Sequence, residues 1–463
     1  MTTKNLSSTT EIDSIEKKRL NRNCNVFIAA FTFVGLINGI SLDAFVSFLQ
    51  LKNPSVASAY STFWGLSILI SAFVLVFVTK LGYKKMLLPF SFVIIGSMIG
   101  IMYLNNSCFI SILTILFLTG ANLMLYFLAP MLSAYTTLEN RTKIFARALY
   151  ANLIGTALAT LFDGNLVVYF FSKFLHVNYA EADKLSSAPT LLTLSEKLEY
   201  FKAFKVILWA VCAIALIVFI ILLFLKERKK DYIEEKQNDH NSTKNKFNFG
   251  IFKSKDIIVW LIFSFSIGFG AALICPYFPI YLNQYLHIER GTVSIILALT
   301  YVASVIFMML SPKFEKKFGS VASIGGLFLC AIPIFFILAN GKLFGSFMVI
   351  GVGITLFIRS GLANASQPIT QALPMSFVKK SERAEFNAVV SALQAFGYIF
   401  GGIFTKYFLF STIKGYATAY YVSALFYGIA GVIVLVFLFK KYNRYTENNK
   451  NDEIDEFSAE EIS

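Results

Sequence analysis

The sequence predicts an all-α integral membrane protein with 12 transmembrane helices in two pseudo-symmetric six-helix bundles, both termini being cytoplasmic. The composition and the recurrence of long apolar segments carry this prediction. The chain is 56% hydrophobic and only 15% charged, with a mean hydropathy of +0.65, whereas a soluble chain carries about 25% charged residues. Twelve segments of about 20 mostly apolar residues are each long enough to cross a bilayer. Because hydrocarbon leaves no backbone group hydrated, we expect these segments to be helices.

The predicted spans follow one another along almost the whole chain. Their approximate limits are 26–49, 57–78, 86–104, 108–128, 146–171, 204–225, 257–282, 293–310, 321–338, 344–367, 388–408 and 417–439. They divide the chain into a cytoplasmic tail (1–23), a first bundle (24–225), a cytoplasmic linker (226–255), a second bundle (256–440) and an acidic cytoplasmic tail (441–463).

The distribution of Lys and Arg sets the orientation. With the N-terminus inside, 30 of the 41 basic residues fall in cytoplasmic segments and ten in outer ones, as the positive-inside rule requires. The net charge of +14 is therefore a topology signal. Because no soluble basic domain is predicted, we expect no nucleic-acid partner. We expect a monomer in the cell membrane, with the lipid bilayer and a small-molecule solute as its partners.

One basic residue, Arg359, remains inside a span. A guanidinium in hydrocarbon costs at least about 2.5 kcal/mol, so such a residue normally faces a partner or a watery cavity. Polar residues follow on the same helical face, at Ser360, Asn364 and Gln367. Pro368 is expected to kink the helix at the end of this stretch. The expected partner of Arg359 is a substrate anion, or amide and hydroxyl groups on spans 4 and 11. Snorkelling to cytoplasmic water is the structural alternative.

Other spans carry polar stripes at helical spacing. A single stripe is explained as well by hydrogen bonds between helices, but stripes on several spans favour a shared polar cavity. The candidate substrate-binding residues are Arg359, Asn364, Gln367, Asn122, Tyr126, Gln394, Tyr60 and Trp64.

Two carboxylates, Asp43 and Asp163, lie within predicted spans and are the candidate proton-coupling residues. The three His all fall in loops, so carboxylates are the groups whose charge can cycle in a cavity. The alternative for each Asp is a fixed pairing with an Arg or with a helix end. No Gly-x4-Gly-Lys-Ser/Thr loop is present, and the five scattered Cys suggest no disulfide or metal site. We therefore expect no cofactor beyond an ion gradient, with protons as the default ion.

Loops at corresponding places of the two halves echo each other. Gly82, in a basic turn after span 2, matches Gly319 after span 8, 237 residues later. Arg141, before span 5, matches Arg383 before span 11 at a distance of 242 residues. The similar distances indicate a duplicated unit. The candidate gating residues lie in these loops and are Gly82, Lys84, Glu139, Arg141, Glu382 and Arg383.

These features resemble the major facilitator superfamily over about residues 20–445. The loop after span 2 matches the family signature at Gly82 and Lys84, with Lys80 at its Arg position. The segments 139–145 and 382–386 resemble the charged loops before spans 5 and 11, and 275–281 resembles span 7 of the family. Leu75 and Thr79 replace the first Gly and the Asp of the signature, and the Pro-Gly pattern of span 5 in drug antiporters is missing.

The resemblance implies a secondary active transporter whose halves alternate around a central solute site. The default interpretation is proton-coupled movement of a small organic solute. A multidrug efflux proton antiporter is the alternative within transport. A lipid flippase or a membrane receptor on the same scaffold is the alternative of another class. An enzyme is not expected, because no nucleophile–base set or metal cluster appears in the spans.

Overall fold

The computed structural model describes residues 2–75, 77–136, 138–231, 254–378 and 383–443, without the side chains of 2–15, 79, 138–142, 230 and 383–385. The described residues form α-helices joined by short turns. Their bounds are α1 Thr2–Leu42, α2 Ala44–Lys52, α3 Pro54–Ala57, α4 Tyr60–Leu75, α5 Val78–Leu81, α6 Tyr83–Tyr103, α7 Ser107–Tyr135, α8 Leu138–Leu175, α9 Tyr179–Ser186, α10 Leu194–Leu223, α11 Lys255–Ile274, α12 Phe278–Ile280, α13 Arg290–Phe318, α14 Ser320–Ala339, α15 Met348–Ala365, α16 Gln367–Ala372, α17 Arg383–Phe404 and α18 Gly415–Tyr442.

Short 3-10 and π segments extend several of these helices. The 3-10 turns are Lys229–Asp231, Cys275–Tyr277, Gly341–Phe347 and Leu373–Ser376, and the π turns are Tyr281–Tyr285 and Thr405–Leu409. Helix α1 begins at Thr2, so it runs through the stretch 1–23 that the sequence analysis assigns to the N-terminal tail.

Among the described residues, 11 helical stretches are long and apolar enough to cross a membrane. The predicted second span corresponds to α4, which has 16 residues and is about 24 Å long at 1.5 Å per residue, shorter than the roughly 30 Å hydrocarbon core. The all-helical membrane fold is therefore confirmed, and the count of 12 spans, the pseudo-symmetry and the orientation of the termini stay predictions.

The chain forms two compact units. Unit 1 comprises Met1–Ser242 together with Leu282–Ala298, and unit 2 comprises Thr243–Tyr281 and Leu299–Ser463. The division falls within the predicted linker 226–255. The segment Leu282–Ala298, placed by the sequence analysis in the second bundle, instead groups with unit 1. The physical reason is a set of buried polar contacts described below.

Large apolar side chains cover the outer faces of the helices. Phe73 is 64% exposed, Ile350 62% and Val436 65%. Water would make such contiguous apolar surface costly, whereas lipid chains do not. This pattern is the one expected of helices that face hydrocarbon.

Glycines bring pairs of helices into backbone contact within each unit. A Cβ at Gly35 of α1 would lie 2.2 Å from the carbonyl oxygen of Asn152 in α8, and one at Gly397 of α17 would lie 2.6 Å from that of Phe265 in α11. Only a residue without a side chain permits this approach. Each unit thus contains such a close contact between helix backbones.

Candidate functional site

The helix of the first span breaks at Asp43. Helix α1 ends at Leu42 and α2 begins at Ala44, with Asp43 at φ −124° and ψ −84° between them. The break leaves backbone N–H groups without helical acceptors. The N–H of Ala44 donates to Oδ2 of Asp163 on α8, at 3.2 Å. Asp163 therefore holds the backbone next to Asp43, although the two residues are 120 positions apart in the sequence.

Ser294 of α13 links the two carboxyl groups. Its hydroxyl lies 2.9 Å from Oδ2 of Asp43 and 3.4 Å from Oδ1 of Asp163. A Cβ at Gly164 would lie 1.9 Å from Ser294 Oγ, so the glycine beside Asp163 makes room for α13. Asp43 and Ser294 are completely buried and Asp163 is 2% exposed. The structure thus brings both candidate coupling residues into one buried cluster.

Arg290, the first residue of α13, supplies the positive charge. Its Nη2 lies 2.5 Å from Oδ1 of Asp43, and neither side chain is exposed. Nη1 donates to the hydroxyl of Ser47 at 3.2 Å, and the guanidinium lies 5.7 Å from the ring centre of Phe204. We call Asp43, Asp163, Arg290 and Ser294 the carboxylate cluster. It contains two acids and one base, all within unit 1.

The loop helix α9 caps the start of α13. Oδ1 of Asp183 accepts from the N–H of Gly291 at 3.0 Å, and the Ser186 hydroxyl accepts from the N–H of Arg290, also at 3.0 Å. Asn283 donates through Nδ2 to the carbonyl of Ser186 at 2.9 Å. Such acceptors satisfy the free N–H groups of a helix N-terminus. The loop 172–202 therefore positions Arg290 against Asp43.

Arg359 lies buried in unit 2, on α15. It is 5% exposed, and its Nη2 donates to Cys275 Sγ at 3.1 Å and to the Tyr427 hydroxyl at 3.3 Å. Its guanidinium lies over two rings, 5.2 Å from the centre of Phe278 and 5.8 Å from that of Phe335. Among the described residues it has no ion pair with a carboxylate. Its described hydrogen-bond partners thus come from the turn after α11 and from α18, and the expectation of a substrate anion or of groups on spans 4 and 11 stays a prediction.

The other unit 2 candidates lie on α15 and α17. Asn364 donates through Nδ2 to Ser304 of α13 at 2.8 Å, so it links two helices. Helix α15 ends at Ala365 and α16 begins at Gln367, with Pro368 in its first turn, which confirms the expected break. Gln367 and Gln394 are exposed. No described contact joins Gln394 to Arg359.

In unit 1, three of the four candidate binding residues lie close together. The Tyr60 hydroxyl donates to the carbonyl of Ser41 at 2.9 Å, and its ring lies 6.2 Å from that of Trp64. Asn122 of α7 donates to the Ser67 hydroxyl on α4 at 3.3 Å. Tyr126, one turn further along α7, is half-buried. The hydrogen bonds join neighbouring helices, and the ring contact lies within α4.

The turn at Gly82 holds two helix ends together. Gly82 has a φ of 85°, and the next two N–H groups, of Tyr83 and Lys84, donate to the Glu227 carboxylate at 2.6 and 3.2 Å. The Lys84 ammonium donates to the carbonyls of Leu223 and Leu225 at 2.6 and 3.0 Å. A carboxylate at a helix N-terminus and an ammonium at a helix C-terminus both interact favourably with the helix dipole. Burial raises the pKa of Glu227, although the two N–H donors oppose this shift.

Unit 2 contains a similar turn at Gly319, whose φ is 87°. Here Asn443, after the last helix, accepts from the N–H groups of Ser320 and Ala322 at 3.0 and 2.8 Å. The remaining gating candidates cannot be placed in this way. Glu382 and the side chains of Glu139, Arg141 and Arg383 lie outside the described residues.

Sequence reasoning missed Arg290, Cys275 and Tyr427. The charge count places Arg290 among the outer loop cations, because it stands just before an apolar segment. The sequence does contain an indication of its role. Basic residues are scarce in outer segments, so an Arg directly beside a span suggests pairing with an acid inside the span. Cys275 and Tyr427 read as packing residues, and only the fold brings them to Arg359.

The fold is that of a multi-pass membrane protein, and its family match identifies it as a transporter rather than an enzyme. Residues 22–366 match the family model described as Major Facilitator Superfamily. The chain belongs to this superfamily and is a multi-pass protein of the cell membrane.

Solved structures of transporters share the fold. The nucleoside transporter NupG superposes with a TM-score of 0.65 at 16% identity, covering 91% of this chain and 100% of that one. A D-xylose-proton symporter gives 0.65 at 12% identity, with 90% and 97% covered. A bacterial homolog of the human lysosomal transporter Spinster gives 0.61 at 12% identity, with 90% and 95% covered. A search of curated protein sequences finds no significant match.

Proposed function

We propose that this chain is a proton-coupled secondary transporter that moves a small organic solute by alternating access. The proton site in this proposal is the carboxylate cluster of unit 1. The observation that carries it is the burial of two carboxyl groups around one guanidinium, with Ser294 between the acids.

The charges of the cluster do not balance without a proton. Asp43, Asp163 and Arg290 together carry one net negative charge when both acids are ionised. A buried, uncompensated charge costs several kcal/mol. The Ser294 hydroxyl has one hydrogen and so can donate to only one of the two carboxylates at a time. Binding one proton neutralises the cluster and satisfies its acceptors.

The neighbouring titratable groups do not supply the missing charge. Asp183 of α9 lies near the start of α13 and adds negative charge, and Tyr200 of α10 is neutral when protonated. Among the described residues, Arg290 is therefore the one cation that pairs with a carboxylate of the cluster, that of Asp43. This arrangement supports a proton rather than a second basic side chain as the counter-charge.

Protonation is coupled to the position of α13 in this proposal. Arg290 and Ser294 both lie in the first two turns of that helix, and both contact the carboxyl groups directly. A protonated Asp43 holds Arg290 less strongly, because the charge–charge attraction is lost. The segment Leu282–Ala298 is thus released or held according to the state of the acids.

Polar and aromatic residues are proposed to bind the solute. These are the sequence candidates Tyr60, Trp64, Asn122, Tyr126, Arg359, Asn364, Gln367 and Gln394. A nucleoside transporter and a xylose-proton symporter among the structural neighbours support a small organic solute. The gating roles of Gly82, Lys84, Glu139, Arg141, Glu382 and Arg383, a monomeric state and cytoplasmic termini belong to the same proposal.

Reconstituted protein tests the coupling. Proteoliposomes with an acidic exterior are given radiolabelled uridine, D-xylose and phenylalanine. We expect one class of solute to accumulate above its external concentration in wild-type vesicles. Asp43→Asn and Asp163→Asn should abolish this accumulation and keep solute exchange at equal concentrations, because Asn preserves the shape but cannot carry a proton.

Asp256→Asn is the matched control. Asp256 pairs with Lys441 at 2.6 Å in unit 2, and its side chain is partly exposed. Loss of this carboxylate should therefore leave solute accumulation unchanged. Full pH-driven accumulation in both cluster variants would refute the proton site.

A further inference from the structure

We infer that Arg359 and Tyr420 form a binding site for the carboxylate of a small aromatic solute. The inference rests on the proposed function in one respect, that the bound compound is the transported one. Binding itself requires no proton gradient.

Arg359 is a buried cation whose described contacts are all neutral. Its Nη2 donates to Cys275 and Tyr427, and its Nε is buried without any hydrogen-bond partner. An isolated buried charge is costly and normally acquires a partner. No carboxylate pairs with Arg359 among the described residues. A ligand that carries a negative charge would supply the missing partner.

Tyr420 provides a second unsatisfied donor, on a ring that shares the neighbour Phe335 with Arg359. Its ring is 1% exposed, and its hydroxyl is buried with no hydrogen-bond partner. The Tyr420 ring centre lies 6.4 Å from that of Phe335, and the Arg359 guanidinium lies 5.8 Å from the same ring. Buried hydroxyls nearly always find an acceptor. A carboxylate has two oxygens and can accept from both groups.

The surrounding rings define the rest of the ligand. Phe278, Phe335 and Tyr427 lie around the guanidinium, with Phe335 and Tyr427 in an edge-on pair at 4.9 Å. Aromatic walls favour a flat apolar body over a sugar or a small hydrophilic anion. Cys275, which contacts the guanidinium, is only half-buried, so solvent reaches the edge of the cluster.

The chemistry favours a carboxylate over a phosphate. A phosphate would bring up to two charges and three acceptor oxygens, whereas the described cluster offers one cation and one free hydroxyl. The uncharged amide of the same aromatic body would leave the guanidinium unpaired. These differences define the probes for a binding experiment.

The test is thermal unfolding of the purified full chain in lipid nanodiscs. The probes are sodium benzoate, benzamide and inorganic phosphate at the same ionic strength. We expect benzoate to raise the melting temperature with its concentration, as a ligand of the native state does. Benzamide and phosphate should not raise it. No rise with benzoate in the wild type, or an equal rise with benzamide, would overturn the inference.

Variants then assign the site. Arg359→Gln should remove the benzoate response, and Arg359→Lys should weaken it because the fork is lost. Tyr420→Phe removes only a hydroxyl and should weaken benzoate binding about tenfold, the effect of one hydrogen bond to a charged group. Tyr135→Phe is the matched control, since Tyr135 of unit 1 is also buried with an unpartnered hydroxyl, and it should leave the response intact.

The outcomes separate this inference from the proposed function. If Arg359→Gln folds and keeps the full benzoate response, or if Tyr420→Phe and Tyr135→Phe respond alike, the site is wrong even if proton-driven transport is found. If the benzoate response follows the expected pattern while Asp43→Asn and Asp163→Asn still accumulate solute, the anion site stands and the proton site fails. Should Arg359→Gln not fold, the comparison of Tyr420→Phe with Tyr135→Phe decides.

Discussion

At the residue scale, the central feature is the buried cluster of charges around Arg290. A completely buried Arg and Asp form an ion pair, and a second Asp shares Ser294 with the first. Buried ion pairs are weak sources of stability, because desolvation offsets their attraction. Their removal one partner at a time is costly. Under the proposed function the cluster is a proton site, and the alternative is the fixed pairing with an Arg and with a helix start that these contacts also form.

This view makes a prediction for Arg290. Arg290→Gln leaves two carboxyl groups without their cation and should destabilise the protein by about 3–5 kcal/mol. The double variant Arg290→Gln with Asp43→Asn removes both members of the pair and should recover most of that loss. Thermal melting in nanodiscs measures both variants. A double variant that is no more stable than Arg290→Gln alone would show that the pair is not the relevant interaction.

Both acids of the cluster are visible in the sequence, because carboxylates inside apolar segments are rare. Their mutual contact is not visible in the sequence, because it depends on how α1, α8 and α13 pack. For Arg359, the polar face predicts burial of the charge but not its neighbours. Cys275 and Tyr427 are ordinary apolar-span residues until the fold brings them to the guanidinium.

At the element scale, glycine turns set where helices begin. Gly82 and Gly319 adopt φ of 85° and 87° with ψ of 162° and 164°, a region open essentially to glycine alone. Each turn is followed by a helix whose first N–H groups are capped by a residue from another part of the chain. This residue is Glu227, after α10, for the first turn and Asn443, after α18, for the second.

Replacing Gly82 tests this constraint. Gly82→Ala should cost about 1–3 kcal/mol, because a side chain strains this backbone conformation. Gly96→Ala in the same helix α6 is the control. A Cβ at Gly96 meets nothing within 4 Å, and alanine favours the helix by up to about 1 kcal/mol. Thermal melting should rank Gly96→Ala at or above wild type and Gly82→Ala below it, and the reverse order would contradict the assignment.

Local sequence signals predicted some element boundaries and not others. The break expected beside Pro368 is present, and Thr193 and Glu196 form a capping box at the start of α10. The break at Asp43 has no Pro or Gly beside it. It arises from tertiary contacts, in which Asp163 accepts the N–H of Ala44, so no local pattern could reveal it.

At the scale of the whole molecule, hydropathy and the distribution of charge were sufficient for the membrane fold, and the superfamily came from the resemblance of loop motifs such as the one at Gly82 and Lys84. The repeated turns and the glycine contacts of α1 with α8 and of α11 with α17 support the predicted duplication. What the sequence could not predict is that Leu282–Ala298 groups with unit 1. Its apolar pattern continues that of the second bundle, and only buried partners such as Ser186 and Asp43 hold it elsewhere.

The central claim is that Asp43 and Asp163 bind and release a proton as one unit. Infrared difference spectroscopy of the purified protein between acidic and neutral pH tests it most directly, because protonated carboxyl groups absorb apart from carboxylates. We predict a titrating carboxyl band in the wild type that is lost in the variant with both Asp43→Asn and Asp163→Asn and retained in Asp256→Asn. A difference spectrum of the double variant that matches the wild type would contradict the claim.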